Sequence, residues 1–162
     1  LFTIREELGT IDGLTVTMLG DLKYGRTVHS LAQLLDQYQV KLNLVAPEAL
    51  DLPDQLVTRL KRKPHHVRDL KAVIGETDVL YVTRVQEERF ADRAEYDRLK
   101  GSYVVTPETL EPAKADLVIM HPLPRVDEID QRVDADPRAA YFREVENGLY
   151  VRMALLSLVL GG

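Results

Sequence analysis

Short runs of apolar residues alternate along this chain with segments in which apolar residues recur every three or four positions. The runs predict β-strands and the periodic segments predict α-helices. Most of the runs are apolar throughout, which is typical of parallel strands that are covered on both faces. The predicted strands are residues 14–19, 41–46, 79–83, 103–106 and 117–120, with a weaker strand near residues 65–68.

The predicted helices are residues 27–38, 53–63, 92–99, 107–115 and 139–160. In the first of them, Val28, Leu31 and Leu35 fall on one stripe of the helix surface. This alternation of strands and helices predicts an α/β fold, namely a doubly wound, mostly parallel sheet with helices on both faces. Such a fold is a Rossmann-like three-layer sandwich. No repeat or linker interrupts the pattern, so we interpret residues 1–162 as one domain.

The composition fits this interpretation and argues against one class of partner. The 162 residues are 45% hydrophobic, and a domain of that length buries roughly 70% of its unfolded surface. Acidic residues outnumber basic ones by 26 to 21, which gives a net charge of −5. Surfaces that bind nucleic acids are usually basic, so no nucleic-acid partner is expected.

Several residue types and patterns are absent from the sequence. Their absence predicts the cellular location and argues against a metal site and a membrane partner. The chain has no cysteine, which excludes disulfides and thiolate metal sites and favours a cytoplasmic location. The adjacent His65 and His66 cannot both face one metal ion from a strand, so no metal site is expected there. The longest apolar stretch, residues 153–160, is far shorter than the ~20 residues that a bilayer requires, so no membrane partner is expected. The chain begins without Met or a signal-peptide pattern, and we expect a segment of a longer protein.

Three loops stand where a doubly wound sheet binds its ligands, outside the carboxyl ends of the strands. These loops are residues 21–27, 84–89 and 121–129, and each carries an unusual combination of charged residues or prolines. Because the carboxyl ends of parallel strands lie at one edge of the sheet, the three loops should open onto a shared site.

The first loop follows a predicted strand and leads into a predicted helix. Thr27 could cap that helix, whose N-terminal amides favour an anion. The spacing from Gly20 to Thr27 is one substitution away from the phosphate-binding loop G-x4-G-K-[ST], with Arg26 in the place of Lys. Nucleotide binding is disfavoured because the interior of the loop has bulky residues and no further glycine. A plain turn with a solvated Arg26 is the alternative interpretation.

The second loop carries a guanidinium and an amide at alternate positions. Arg84 offers a planar set of donors suited to a carboxylate, and Gln86 adds a donor and an acceptor. If the strand continues, both side chains point in the same direction. The alternative is an ordinary charged surface at a strand end.

The third loop begins His-Pro-Leu-Pro directly after a buried strand. Pro122 and Pro124 fix the direction of the chain and remove two N–H donors. The carbonyl groups of Pro122 and Leu123 are then available to accept hydrogen bonds from a ligand amine. A cis bond before Pro124 is compatible with the sequence, because X–Pro bonds tolerate cis at low cost. The alternative is a rigid connector.

Taken together, the three loops resemble those of the aspartate carbamoyltransferase family. The resemblance covers essentially every residue, from Leu-Phe-Thr-Ile-Arg-Glu at the start to Arg-Met-Ala-Leu-Leu near residue 152, and segments 20–30, 78–89 and 121–129 are its most specific parts. The family joins two α/β domains, of which the first binds carbamoyl phosphate through a Ser-x-Arg-Thr-Arg-type loop and the second binds L-aspartate. That loop does not occur here, so the resemblance implies the second domain together with the last helix, which packs back on the first.

The resemblance also implies a role for each candidate residue. Arg26 and Arg84 would hold the aspartate carboxylates with the help of Gln86. The carbonyl groups of Pro122 and Leu123 would orient the aspartate amine and the carbamoyl group, with a cis bond between Leu123 and Pro124. The implied supporting residues are Thr27, Glu88, which would brace Arg84, and Arg89, which would latch the two domains. One departure is Glu87, which stands where many members have Lys.

The implied enzyme is a transferase that converts carbamoyl phosphate and L-aspartate to N-carbamoyl-L-aspartate and phosphate. In the family this is an early step of pyrimidine and UMP synthesis, needs no cofactor, and takes place in a cytoplasmic homotrimer. The segment alone should be inactive without the carbamoyl-phosphate-binding domain. The loop at residues 84–90 resembles fused eukaryotic versions. Two alternatives remain: a non-catalytic assembly module of a multienzyme chain, and an ornithine carbamoyltransferase, which would show His-Cys-Leu-Pro and whose cationic substrate Arg84 would repel.

Overall fold

A computed structural model describes residues 1–86, 89–90 and 92–161, without the side chain of Glu95. Five strands form one sheet in the order β3-β2-β1-β4-β5, and all of its pairings are parallel. The strands are β1 (Thr15–Gly20), β2 (Lys41–Val45), β3 (His65–Val67), β4 (Val79–Thr83) and β5 (Val118–Met120). The predicted parallel α/β sheet, including the weak strand near residue 65, is confirmed.

The sheet is apolar on both faces because its strands are covered on both sides. Successive side chains of β1 alternate between two cores, with Met18 in one and Leu19 in the other. In β4, Tyr81 and Val82 divide in the same way, and every residue of that strand is buried. The continuous apolar runs of the sequence therefore have a direct physical cause.

Within the described residues, five α-helices accompany the sheet: α1 (Phe2–Leu8), α2 (Arg26–Leu35), α3 (Asp54–Val57), α4 (Arg93–Leu99) and α5 (Tyr141–Leu160). Short 3-10 turns occupy Glu48–Leu50, Leu70–Ala72, Ile74–Glu76, Glu108–Leu110 and Gln131–Ala135. Helix α1 was not predicted. It ends at Gly9, whose positive φ of 73° allows its amide to cap the carbonyl of Arg5.

The predicted strand at residues 103–106 is wrong. Val105 forms a single bridge to Ile129 instead of joining the sheet. Its amide donates to the carbonyl of Glu128 at 2.9 Å, and its carbonyl accepts from the amide of Asp130 at 2.9 Å. A neighbouring loop therefore satisfies the backbone groups that a strand would have offered to the sheet.

Two predicted helices are much shorter than expected. The helix predicted for residues 53–63 stops at Val57, and the carboxylate of Asp36 then accepts from the amides of Lys61 and Arg62. The helix predicted for residues 107–115 is a single 3-10 turn, because the hydroxyl of Thr109 bonds to the backbone of Thr106. Pro112 then prevents the turn from continuing as a helix.

Helix α5 is attached by its first two turns and exposed along the rest of its length. Arg143 forms an ion pair with Glu7 of α1, and the amide of Asn147 donates to Thr3. From Leu149 onward every described residue of the helix is solvent-exposed, including Leu156 at 60% and Leu160 at 79%. Within the described part of the chain, no helix has the length and apolar character needed to cross a membrane.

The chain runs from β1 to β2 and β3 on one side of the sheet, and then returns to place β4 on the other side of β1. The point where the strand order reverses therefore lies between β1 and β4. In open parallel sheets this is the place where ligands bind.

Candidate functional site

The three candidate loops meet at the carboxyl ends of β1, β4 and β5 around a cavity of about 260 Å³. Eight of the nine candidate site residues line it: Arg26, Thr27, Arg84, Gln86, Arg89, Pro122, Leu123 and Pro124. Glu88, the ninth, and Glu87 lie outside the described residues. The structure thus brings the described candidates together, while the role of each stays a prediction.

The first loop places Arg26 at the start of α2. The helix begins at Arg26 with Gly25 as its N-cap and no side-chain cap, so the expected cap by Thr27 is wrong. Thr27 lies one residue inside the helix, and together with Tyr81 of β4 it lines a neighbouring cavity. The first amides of α2 point toward the site with a partial positive charge, which adds to that of Arg26.

The second loop contributes two further guanidinium groups. Arg84 directly follows β4, and Arg89 donates from Nε to the side-chain oxygen of Gln86 at 3.4 Å. The amide of Arg89 also donates to the carbonyl of Gln86 at 3.0 Å. Among the described residues that line the cavity, three are arginines and none is acidic. The cavity therefore favours an anionic ligand.

In the third loop, Leu123 has a positive φ of 50°, and the Leu123–Pro124 peptide bond is cis, as the resemblance implies. This conformation of Leu123 is held by a hydrogen bond to His121, whose ring is buried. Its Nδ1 accepts from the amide of Leu123 at 2.8 Å, and its Nε2 lies 2.6 Å from Oε1 of Glu128. The backbone amide of His121 donates to Glu144 of α5 at 2.9 Å.

Glu128 is a buried carboxylate whose acceptors are all engaged. Besides His121, it accepts from the amides of Val126 and Asp127 at 3.1 and 3.2 Å. Burial by itself raises the pKa of Glu128, but the hydrogen bonds from His121 and the backbone outweigh it and hold the pKa below its ordinary value. Glu128 is therefore charged at neutral pH.

A second buried carboxylate, Asp21, lies at the start of the first loop. One oxygen accepts from the amide of Tyr24 at 2.9 Å, and the other has no hydrogen-bond partner within the part of the chain that the structure describes. Burial raises the pKa of Asp21, although nearby backbone amides oppose the shift. The buried carboxylate oxygen without a partner therefore lowers the stability of the folded state beside the site.

Arg125, which directly follows the Leu123–Pro124 turn, is held in place by Asp134 and Tyr141. Its guanidinium forms a bidentate pair with Asp134 and also bonds to the hydroxyl of Tyr141, which donates to the same carboxylate. Burial and the contact with Asp134 raise the pKa of Tyr141 to about 12. This cluster joins the turn to the first residue of α5.

A larger cavity of about 770 Å³ opens beside the first and shares with it Thr27 and the residues from His121 to Pro124. Its remaining wall includes Tyr81, Glu144 and Arg152. The two cavities therefore meet at the Pro122–Leu123 backbone. Among the described residues, no group of His, Asp or Glu could hold a metal ion.

Sequence reasoning missed the supporting residues His121, Glu128 and Glu144. The motif contains His121 and Glu128, but Val-Asp-Glu after a proline has the appearance of an exposed acidic loop. The spacing of seven residues that joins the histidine to the carboxylate gives no periodic signal. Glu144 lies on a helix whose pattern is dominated by apolar residues.

Comparisons with known proteins agree with this arrangement. A sequence model described as "Aspartate/ornithine carbamoyltransferase, Asp/Orn binding domain" matches residues 12–159. The chain is 54% identical over 164 residues to "Multifunctional protein pyr1-3" of Dictyostelium discoideum, covering 99% of this chain and 7% of that protein. It is 55% identical over 163 residues to "Aspartate carbamoyltransferase catalytic subunit" of Thermoplasma volcanium, covering 99% of this chain and 53% of that protein.

Solved structures give the same picture. The catalytic subunit of M. jannaschii aspartate transcarbamoylase superimposes with a TM-score of 0.88 at 45% identity, over 99% of this chain and 53% of that one. An aspartate transcarbamoylase from Trypanosoma cruzi, in complex with aspartate and phosphate, superimposes with a TM-score of 0.85 at 43% identity. That match covers 95% of this chain and 49% of the other. The chain therefore spans about half the length of the single-function relatives and a small fraction of the multifunctional one.

Proposed function

This chain belongs to the aspartate/ornithine carbamoyltransferase family, and we propose that residues 1–162 are the L-aspartate-binding domain of an aspartate carbamoyltransferase. The complete enzyme would transfer a carbamoyl group from carbamoyl phosphate to L-aspartate. The observation that carries the proposal is the cavity lined by three arginines and Gln86 together with Pro122 and Leu123.

Aspartate presents two carboxylates and one amine. Arg26 and Arg84 would each bind one carboxylate, because a guanidinium can donate two parallel hydrogen bonds to a carboxylate. Gln86 adds an uncharged donor on the same loop as Arg84. Arg89, which also lines the cavity, would latch this domain to the carbamoyl-phosphate-binding domain. These assignments leave the amine to the remaining lining of the cavity.

The remaining lining includes Pro122 and Leu123, whose backbone carbonyl groups would accept from the amine. The amine must lose a proton and attack the carbamoyl carbon with its lone pair, while the bond from that carbon to the phosphate oxygen breaks. The chemical contribution of this half is then orientation of the nucleophile. Stabilisation of the departing phosphate would come from groups on the other half.

The larger cavity is where the carbamoyl group would meet the amine, because it shares the Pro122–Leu123 wall with the smaller one. Helix α5 borders this cavity through Phe142, Val145 and Arg152, and its apolar side chains are exposed beyond it. A second domain of the same polypeptide would cover these exposed apolar side chains, since a contiguous exposed apolar patch marks an interaction surface. We propose the carbamoyl-phosphate-binding domain as that partner.

The wider setting of the proposal rests on the family. The complete enzyme would be a homotrimer located in the cytoplasm, and its product would feed pyrimidine and UMP synthesis. No metal or organic cofactor would take part. An ornithine-type reaction fits less well, because the three arginines would repel the cationic side chain of that substrate.

The proposal is tested by comparing the full-length chain with the isolated segment. The full-length protein should form N-carbamoyl-L-aspartate from carbamoyl phosphate and L-aspartate, and should be inactive with ornithine. Residues 1–162 alone should show no turnover, and addition of the separately expressed partner half should restore some of it. Turnover by the segment alone would overturn the two-domain account. An inactive full-length protein would favour a non-catalytic assembly module.

A further inference from the structure

We propose that His121 is a positioning residue for the transfer reaction: its ring holds the amide of Leu123, and so directs the carbonyl of Pro122, which lies in the same peptide plane, toward the amine of bound aspartate. This inference rests on the proposed function. It follows from three hydrogen bonds of His121, two made by its ring and one made by its backbone amide.

The hydrogen bonds assign one tautomer to the His121 ring. A backbone N–H can only donate, so Nδ1 must be unprotonated to accept from Leu123 at 2.8 Å. The proton of the neutral ring then lies on Nε2, from which it is donated to Glu128 at 2.6 Å. The charged carboxylate stabilises this tautomer and opposes the other, as a carboxylate partner does for many functional histidines.

Behind Glu128, the support continues into the core. The carbonyl of Glu128 accepts from the amide of Val105, and the next residue, Ile129, forms the bridge to Val105. Val105 and Ile129 are both fully buried. The backbone that carries the Glu128 carboxylate is therefore held in place by buried, packed residues.

Leu123 needs such support because its φ of 50° lies in the left-handed region, which disfavours side chains other than glycine. The amide anchored by His121 lies in the same planar peptide unit as the carbonyl of Pro122. Because that unit is rigid, fixing the N–H of Leu123 fixes the direction of the Pro122 C=O. The backbone amide of His121 is tied in turn to Glu144 on α5 at 2.9 Å.

Two substitutions in the full-length enzyme separate this role from a general structural one. The side-chain oxygen of His121→Asn can occupy the position of Nδ1 and accept from Leu123, but it cannot reach Glu128. His121→Gln reaches Glu128 but moves its acceptor away from Leu123. We expect His121→Gln to lower kcat by about tenfold or more, because small misplacements of a reacting group are costly. His121→Asn should retain kcat within about threefold, since it keeps the hydrogen bond.

The Michaelis constant for aspartate should change little in either variant, because the carboxylates are held by other residues. Equal losses of kcat that follow the losses of thermal stability would overturn the proposal. So would a better kcat in His121→Gln than in His121→Asn, or a rise in KM that matches the fall in kcat.

A measurement on the unaltered enzyme covers the case in which neither variant folds. Spectra that correlate ring protons with ¹⁵N in histidine-labelled full-length protein distinguish protonated from unprotonated ring nitrogens. The proposal requires Nε2 of His121 to carry the proton; a proton on Nδ1 would overturn it. If the wild-type enzyme forms no N-carbamoyl-L-aspartate, the proposed function fails, whatever the ring spectra show.

Discussion

Gly20 and Thr83 approach each other so closely that a Cβ atom on Gly20 would stand 2.1 Å from the carbonyl oxygen of Thr83. The two residues are register partners at the carboxyl ends of β1 and β4. The hydroxyl of Thr83 also donates to the carbonyl groups of Leu19 and Asp21, at 3.2 and 3.3 Å. The two strands are thus locked together at the point where their loops diverge to form the site.

Replacement of Gly20 by Ala should therefore be strongly destabilising. The new methyl group would collide with backbone that cannot move without breaking the sheet, and the φ of 110° adds strain. We expect a loss of roughly 3 kcal/mol or more in the free energy of unfolding, measured by urea denaturation. Gly13→Ala is the control, because Gly13 has a φ of 84° but no atom within 4 Å, and should lose only about 1–2 kcal/mol. Equal losses would show that the close approach is unimportant.

Arg84→Ala, made in the full-length enzyme, should weaken aspartate binding by at least about tenfold, because it removes a charge-assisted contact to a carboxylate. Binding of carbamoyl phosphate should change little. Arg93→Ala is the matched control, since the Arg93 side chain is 71% exposed and pairs with Asp97 outside the cavity. Isothermal titration with each substrate separates the outcomes. Equal weakening of both substrates would mean that Arg84 acts on the structure and is not a specific ligand.

The buried carboxyl of Asp21 predicts a pH dependence of stability. Burial raises its folded-state pKa above the ordinary value of 3.8, so the folded state holds this proton more tightly than the unfolded state does. The stability that protonated Asp21 contributes is lost as pH rises through the raised pKa. Asp21→Asn should therefore gain stability relative to the wild type as pH rises above 3.8, and the difference should then level off. Thermal melts across this range check the sign; a difference that shrinks with rising pH would contradict it.

The exposed face of α5 predicts a contrast between the segment and the full-length chain. In residues 1–162 alone, Leu156→Glu should change the free energy of unfolding by less than about 0.5 kcal/mol, because the side chain is 60% exposed. In the full-length enzyme the same change would bury a charge against the partner domain. We expect it to cost about 2 kcal/mol or more and to lower activity. A full-length variant as stable as the wild type would show that this part of α5 is not covered.

The strands could be predicted wherever burial was continuous. Val79–Thr83 is buried at every position, and its apolar run was sufficient. The segment at residues 103–106 has the same composition, but Val105 pairs with Ile129, a partner that no local pattern reveals. The helix predicted to reach residue 63 was shortened by Asp36, whose carboxylate captures amides 25 residues away. Both errors arise from contacts between distant segments, which override local propensity.

The candidate site was predictable in its charged and proline-rich loops but not in its supports. Arg84 stands directly after one predicted strand and Arg26 ends the loop that follows another, and the topology alone requires such loops to share an edge. Glu128 is different, because an acidic residue in a polar loop is usually exposed. Its burial depends on the particular positions of His121 and Val105, which become neighbours only when the fold is complete.

The central position of β1 sets the order in which the molecule can assemble. Pairing of β1 with β2 joins residues 26 apart along the chain, whereas pairing with β4 joins residues more than 60 apart. Closing a longer loop costs more entropy, and proteins rich in distant contacts fold slowly. The pocket straddles β1 and β4, so it takes shape in the later of these two steps. A refolding chain with half its sheet in place would still not recognise aspartate, and recovery of ligand binding would lag behind recovery of secondary structure.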